Sequence, residues 1–397
     1  MNDPLVEIGV IVAGTLDEVD EAAVGRAIDQ FIAFVESRFP DFRWRMIPSR
    51  RPESVTSKRT APSALLQQAL EERDEQHWDF AFVITAAELE SHYSSHCFSA
   101  LSRPLDAAVF SLSLIDPRAI RRGAESEERI VTIAHRLSRL MLHALAHLSG
   151  LPRDSNPANL LFHPSSAKQL DAMEELTDFQ GERQAAALME IADQRLEEQS
   201  GKPTASFTFV ARSAVINARE IWQAILAARP WEFPLRLSGL TLAAVSTLVV
   251  LLMTAESWDL ALSQSILSMS VLVLVSWLGT TGYVVSRQQL ILLNRNRPSE
   301  QIVVTNLSAI GIVFAGMLVT WLALAAAALA IASLLFGPGL IASWASSHAQ
   351  TAAQIDWTER LQMAGFTASL GLMIGALGTS FESQHYFRHI IFVDEEI

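Results

Sequence analysis

Two histidines four residues apart, His143 and His147 in the stretch LMLHALAHLSGLPRD (140–154), have the residue type and spacing to do chemistry. Residues i and i+4 share a helix face, so two imidazoles there can hold one divalent metal ion. In an HExxH helix the glutamate between them acts as general base on the metal-bound water. Here Ala144 takes that position and cannot accept a proton. Gly150, three residues after His147, lets the chain turn sharply so that a third ligand can reach back. The residue three further on is Arg153, a fixed cation and the wrong group beside Zn²⁺. Two ligands leave a weak, open site, because zinc usually takes three or four from the protein. Asp154 and His163 are the candidate third donors. Three readings follow: a relic pair, hydrogen-bonded within a core or lining a former cleft; a zinc site; or a metal-independent site for a ligand or peptide. The relic is the leading expectation, with no cofactor held and zinc on His143 and His147 as the alternative.

Other chemistry is sparse. His92 and His96 are also four apart, but HYSSH is Ser-rich and reads as a loop. The remaining histidines (His77, His135) add no ligand spacing. Arg43, Arg45, Arg50, Arg51, Lys58 and Arg59 form a basic run, read as a solvated strand edge and loop rather than a binding strip. There is no Walker loop, no GxGxxG after a strand and no GxSxG elbow.

The histidine helix needs a scaffold, and the first half of the chain supplies one. Residues 5–13 read as a buried strand. Residues 18–38 read as a helix with Val24, Ile28, Phe31, Ile32 and Val35 on one face. Strands are predicted over 42–47, 79–85 and 107–115, and helices over 63–76, 127–149 and 177–199. This alternation predicts an α/β layered domain over residues 1–200.

The second half differs in kind. Four apolar stretches, about 237–255, 260–285, 305–336 and 361–381, are long enough to span a bilayer. Residues 201–230 read as a linker, SGKPTAS, followed by an amphipathic helix with Val215, Ile216, Ile221, Trp222, Ile225 and Leu226 against Arg212, Arg219, Glu220 and Gln223. That helix suits a membrane interface or packing on the soluble domain. Residues 231–397 then read as an all-α domain of four transmembrane helices. Arg212, Arg219, Arg229, Arg236, Arg287, Arg295, Arg297 and Arg388 flank one side of the spans. Glu256, Asp259, Asp356, Glu359 and Arg360 lie on the other. The basic side marks the cytoplasm, so both termini are expected there. The span cores carry no Asp, Glu, Lys, Arg or His, which favours an anchor or assembly domain over a pump. A channel or transporter subunit with a regulatory soluble domain is the alternative. Gly371 and Gly375 have GxxxG spacing, which permits close helix approach and, as one reading, homo-oligomerisation. Tyr386 and Phe387 beside Arg388 read as an interfacial belt.

Composition agrees with this division. The chain has 397 residues and a net charge of −13, which excludes a general nucleic-acid binder. One cysteine, Cys97, excludes an intrachain disulfide and a Cys-rich zinc cluster. No basic segment precedes the short apolar run at the start, so no signal peptide is expected.

The segment around His143 resembles the metzincin zinc proteases, whose pattern is HExxHxxGxxH followed by a methionine turn. It is most similar to the archaemetzincin branch. Upstream, WDFAFVITAAEL and LDAAVFSLSLIDPR resemble that family's two central strands. ERIVTIAHRLSRLML leads into the active-site helix. Downstream, NLLFHPSS resembles the methionine turn and LDAMEELTDFQ the helix start that follows it. In a gapless register the third zinc ligand falls on Arg153. The four cysteines of the family's second metal site fall on Asp154, Asn159, Phe179 and Glu182, and the turn Met falls on Leu161. The likeness covers residues 78–185 and, by layout, 1–77. It implies a mixed-sheet metzincin-like domain with a long active-site-type helix. The degenerate positions Ala144, Gly150, Arg153, Asp154, Asn159 and Leu161 imply a pseudoprotease: a membrane-anchored, inactive binding or scaffold module with a protein partner or a second copy. A divergent zinc metallopeptidase is the alternative reading.

Overall fold

A computed structural model describes residues 3–55, 57–92, 96–117, 125–192, 206–291, 300–345, 355–379 and 384–397. The SGKPTA part of the linker, residues 193–199 of the expected 177–199 helix, Arg295, Arg297 and most of HYSSH lie outside them. The chain divides into two compact units. One comprises 1–223, 294–305 and 392–397, and the other 224–293 and 306–391.

The first unit contains strands β1 (Leu5–Ala13), β2 (Arg43–Arg51), β3 (Arg59–Thr60), β4 (Phe80–Thr85), β5 (Glu88–Leu89), β6 (Ser99–Ser102) and β7 (Ala107–Ser111). Its helices are α1 (Glu18–Arg38), α2 (Pro62–Gln76), α3 (Ser126–Leu148), α4 (Ala167–Leu170) and α5 (Asp178–Ile191). The last strand, β8 (Glu395–Glu396), comes from the far end of the sequence. The main sheet runs β2-β1-β4-β7-β6-β8. The first four strands are parallel, and β6 and β8 are antiparallel to their neighbours.

Every residue of β4 and β7 is buried, as strands covered on both faces require. Val6, Ile8, Val10, Phe80, Phe82, Ile84 and Phe110 face a core shared with Phe31 and Val35 of α1 and Ile133, Leu137 and Met141 of α3. Helix α2 packs on β1, β4 and β7 with Leu65, Leu66, Ala69 and Leu70 buried outside that core, and so covers the opposite face. Gly9 is obligatory: a Cβ there would fall 1.8 Å from the Trp78 ring.

The basic run is paired strand edge. Arg45, Arg50, Arg51 and Arg59 meet Glu7, Glu21, Glu72 and Glu88 at 2.6–3.1 Å. Such exposed pairs add little stability.

The amphipathic segment forms two helices, α6 (Ser206–Ile216) and α7 (Ala218–Ala227), rather than one. Val215, Ile216, Trp222 and Leu226 are exposed. There follow α8 (Phe233–Arg236), α9 (Ser238–Leu252), α10 (Ala255–Ser263), α11 (Ile266–Arg287), α12 (Glu300–Leu335), α13 (Pro338–Trp344), α14 (Trp357–Gly378) and α15 (Gln384–Phe392). Among the described residues, three helices are long and apolar enough to cross a membrane. A bent pair, Ile221–Arg236 with Ser238–Leu252, would make a fourth. Helix α9 alone has 15 residues. At a 1.5 Å rise it is about 22 Å long, short of a hydrocarbon core of about 30 Å.

Within the second unit, Gly371 and Gly375 close an intrachain seam between α14 and α9. A Cβ on Gly375 would fall 2.8 Å from the Leu240 carbonyl oxygen, and one on Gly371 would fall 3.1 Å from that of Ala244. Phe387 is fully buried, unlike a residue of an interfacial belt, and the half-buried Tyr386 donates its hydroxyl to the Arg236 carbonyl.

Candidate functional site

The strongly amphipathic helix α3 buries its last two turns completely and carries both histidines inward, with the His143 side chain 1% and the His147 side chain 8% exposed. The rings stack at 10°, with centroids 6.4 Å apart. Ala144 is fully buried in the sheet-side core, so the position where a general base would stand is apolar. Gly150 ends the helix at φ +83°, a left-handed turn that glycine adopts without strain. The chain then returns past the histidines through Arg153, Asn159 and Leu160.

His143 Nδ1 donates to the Leu160 carbonyl at 2.7 Å. This bond fixes the tautomer and aims Nε2 away from the turn. Nε2 faces Glu395 of β8, with its Oε1 3.8 Å away. The same carboxylate lies 2.7 Å from His147 Nδ1, 2.7 Å from Arg153 Nε and 3.2 Å from His163 Nδ1. Glu395 is completely buried. The preceding residue, Asp394, has its Oδ2 3.1 Å from His147 Nε2 and 3.7 Å from Arg103 Nε. Arg103 donates to the carbonyls of His147 and Leu151, so it fixes the helix end as well. The following residue, Glu396, accepts from the Ser91 hydroxyl and the His92 amide. Three consecutive carboxylates are therefore held by the folded unit.

The backbone completes the arrangement. Leu101 pairs with Glu395 and Ala100 with Glu396. The Asp394 amide donates to Leu101, the Ile397 amide to Ser99, and the Ser99 amide to Ile397. Without this segment β6 would be an open sheet edge.

Electrostatics follow from burial and pairing. Burial pushes Glu395 up, but the charge of His147 and the hydrogen-bonding imidazoles of His147 and His163 overcome it and hold the carboxyl well below its ordinary range. Burial alone would lower His147; Asp394 and Glu395 reverse that and raise it.

The donor set does not fit zinc in this arrangement. Each nitrogen of His147 faces a carboxylate, and the third-ligand position is a cation paired to Glu395. Among the described residues, no group of three or more His, Cys, Asp and Glu side chains is placed to hold a metal ion. Of the two alternative third donors, His163 is at the site, on Glu395. Asp154 is elsewhere, accepting from Gln180.

Asp154 and Asn159, two of the positions that the resemblance matched to a second metal site, are joined by a hydrogen-bond clamp. Gln180 joins Asp154 and Asn159, donating to the first at 3.0 Å and accepting from the second at 2.8 Å. Gln180 also completes the capping box of α5 with Thr177. Phe179 and Glu182 take no part and point to solvent. Leu161, at the turn-Met position, is buried against Ala146 and Leu151.

Sequence reasoning missed Asp394, Glu395, Glu396 and Arg103. The acidic run VDEEI after the last apolar stretch was the available signal, a strand-like segment in a half otherwise read as helical.

No protein-family model matches the chain, and no curated protein does. Solved structures do. An archaemetzincin from Methanopyrus kandleri is 16% identical with a TM-score of 0.39, covering 48% of this chain and 98% of that one. A zinc-dependent peptidase from Methanocorpusculum labreanum is 13% identical with a TM-score of 0.34, covering 45% and 99%. An archaemetzincin from Archaeoglobus fulgidus is 12% identical with a TM-score of 0.32, covering 45% and 99%. The chain is a mixed α/β unit joined to a helical region in which three helices, or four with the bent pair, are long and apolar enough to cross a membrane.

Proposed function

We propose that this chain is a membrane-anchored, catalytically inactive metzincin-like protein whose first unit is a binding module on the cytoplasmic side. The observation that carries this reading is Glu395, whose carboxylate fills the space in front of His143 and His147 and neutralises Arg153. A hydrolase needs that space for a water, a base and a scissile bond. Here Ala144 supplies no base, both nitrogens of His147 face carboxylates and His143 Nδ1 is held by the Leu160 carbonyl.

Anchoring is supported by the long apolar helices and by their exposed side chains, among them Leu242, Val250, Ile266, Leu267, Leu278 and Leu334. So much exposed apolar surface suits lipid better than water. The arginine bias across the spans supports the cytoplasmic placement. The partners of this reading are the bilayer and a protein or second copy.

A divergent metallohydrolase has one observation in its favour, since Glu395 returns a carboxylate to the two histidines. Its 2.7 Å pairing with Arg153 argues against use as a base. One experiment separates the readings: zinc content and peptidase activity of the full chain purified in detergent. The inactive reading expects neither stoichiometric zinc nor turnover. Stoichiometric zinc with turnover that His143→Ala abolishes would overturn it.

A further inference from the structure

Three neighbouring carboxylates in an extended segment are each held by groups of the first unit, with His147 shared by the first two. Asp394 meets His147 and Arg103. Glu395 meets His143, His147, His163 and Arg153. Glu396 meets Ser91 and the His92 amide. All three acidic side chains are buried, in a chain whose net charge is −13. Two arginines and three histidines are gathered at one sheet edge of an acidic protein. Burying charge is costly unless each ion is paired; here Asp394 and Glu395 each have ionic partners, while Asp394 Oδ1 and Glu395 Oε2 accept no hydrogen bond among the described residues. The backbone adds a second level of recognition, because the segment is an antiparallel addition to β6, whose ladder groups would otherwise be open. Strand addition gives affinity through the main chain and specificity through the side-chain sites.

We propose that this edge is a peptide-binding site for an extended acidic segment of a partner protein, and that residues 392–397 are its competing occupant in cis. The inference rests on the non-catalytic binding reading above and names its ligand class: Asp-Glu-Glu flanked by aliphatic residues, bound as an antiparallel strand on β6. Charge complementarity selects the class. Asp394 and Glu395 fall on the cationic groups, while Val393 and Ile397, 1% and 2% exposed, fill apolar positions at either end. The cis segment acts at an effective concentration in the millimolar range typical of linked modules, so a free peptide competes poorly until that segment is weakened.

The test uses the full chain in detergent and a fluorescent peptide of sequence FVDEEI. A variant carrying Asp394→Asn, Glu395→Gln and Glu396→Gln keeps the backbone but loses the charges. This variant is expected to bind the peptide at least about 100-fold more tightly than the wild type, the factor that removal of an intramolecular competitor supplies. An FVNQQI peptide is expected not to bind. Adding Arg103→Ala and Arg153→Ala is expected to abolish binding. Circular dichroism and thermal melting check that each variant is folded. Because the neutralised variant can fail to fold, a second arm uses the wild type. FVDEEI supplied well above the millimolar effective concentration of the cis segment should raise hydrogen exchange at the Asp394 and Ile397 amides, which the displaced segment would leave unprotected. The proposal is overturned by a folded neutralised variant that ignores FVDEEI, by equal binding of FVNQQI, or by unchanged exchange in the second arm. It is also overturned if the neutralised chain and an Arg103→Ala/Arg153→Ala chain form a mixed dimer, which would assign the edge to a second copy. Failure of the inactive reading shows separately, as stoichiometric zinc and turnover, which the peptide arms do not measure.

Discussion

Arg153 and Glu395, 242 positions apart in sequence, form a 2.7 Å ion pair directly in front of the two histidines of α3. The pair explains why an arginine is tolerated at the third-ligand position. The Glu395 carboxylate neutralises the guanidinium there.

Glu395→Ala should therefore destabilise the first unit by about 2–4 kcal/mol, because it leaves the charges of His147 and Arg153 facing a buried void. Arg153→Ala should cost no more than about 1 kcal/mol, since Arg153 is 39% exposed and its partner keeps the histidines. Hydrogen exchange at the Ser99 and Asp394 amides reads the effect locally, which matters in a two-unit chain that need not unfold in one step. Equal, negligible effects of both substitutions would remove the ion cluster from the stability of the unit.

Asp20 gives the clearest pH dependence. Burial, reinforced by Asp17 and Asp116 and opposed by the charge of Arg129, raises its carboxyl to about 6. A carboxyl raised in the folded state contributes stability that is fully present below its ordinary value of 3.8 and lost as pH rises through about 6. Asp20→Asn should accordingly be more stable than the wild type at pH 8 by about 1 kcal/mol, after allowing for screening and for the loss of a favourable charge at the start of α1. At pH 4 the gain should vanish. Melting curves at the two pH values decide it, and a gain that is the same at both would contradict the assignment.

The sheet and the histidine helix were legible because their signals are local. The apolar runs of β1, β4 and β7 and the i, i+4 face of α3 sit within single elements. The site was half legible. His143, His147, Gly150 and Arg153 lie within eleven residues, so their spacing could be read directly. The group that fills the space, Glu395, lies 248 positions beyond His147, and no periodicity encodes a pairing between such distant segments. Likewise Gln180 as the clamp between Asp154 and Asn159 follows from side-chain geometry, not spacing. The glycines of α14 were read for close approach, but only the structure shows that α9 of the same chain takes up that approach.

The α9–α14 seam makes a graded prediction. A Cβ at position 375 would press on the Leu240 carbonyl and the Ala244 Cβ at 2.8 and 2.9 Å, and a backbone carbonyl cannot swing aside. Gly375→Val should lower the thermal midpoint in detergent, with a cost of about 1–3 kcal/mol for overpacking. Gly365→Ala is the control, since its nearest neighbour outside its own helix would be the Trp321 ring at 4.0 Å. If the two variants melt alike, the seam is not a close backbone contact.

The zinc site should be recoverable in part, and the order of steps is informative. Arg153→His alone places a third imidazole at the ligand position but leaves Asp394 and Glu395 on His147 and His143, so it should bind little zinc. Combining it with Asp394→Ala and Glu395→Ala frees Nε2 of His147, whose Nδ1 keeps Arg103 at 3.3 Å, and leaves His143 Nε2, already aimed by the Leu160 carbonyl, open to a metal. Three imidazoles meet the ligand number that zinc sites require, so this variant should carry about one zinc per chain, measured by atomic emission after gel filtration. It should still show no peptidase turnover, because Ala144 remains and no general base has been restored. Zinc bound equally well by Arg153→His alone would mean that the carboxylates of β8 do not compete with a metal for the histidines, and the site would not be an ion-pair receptacle.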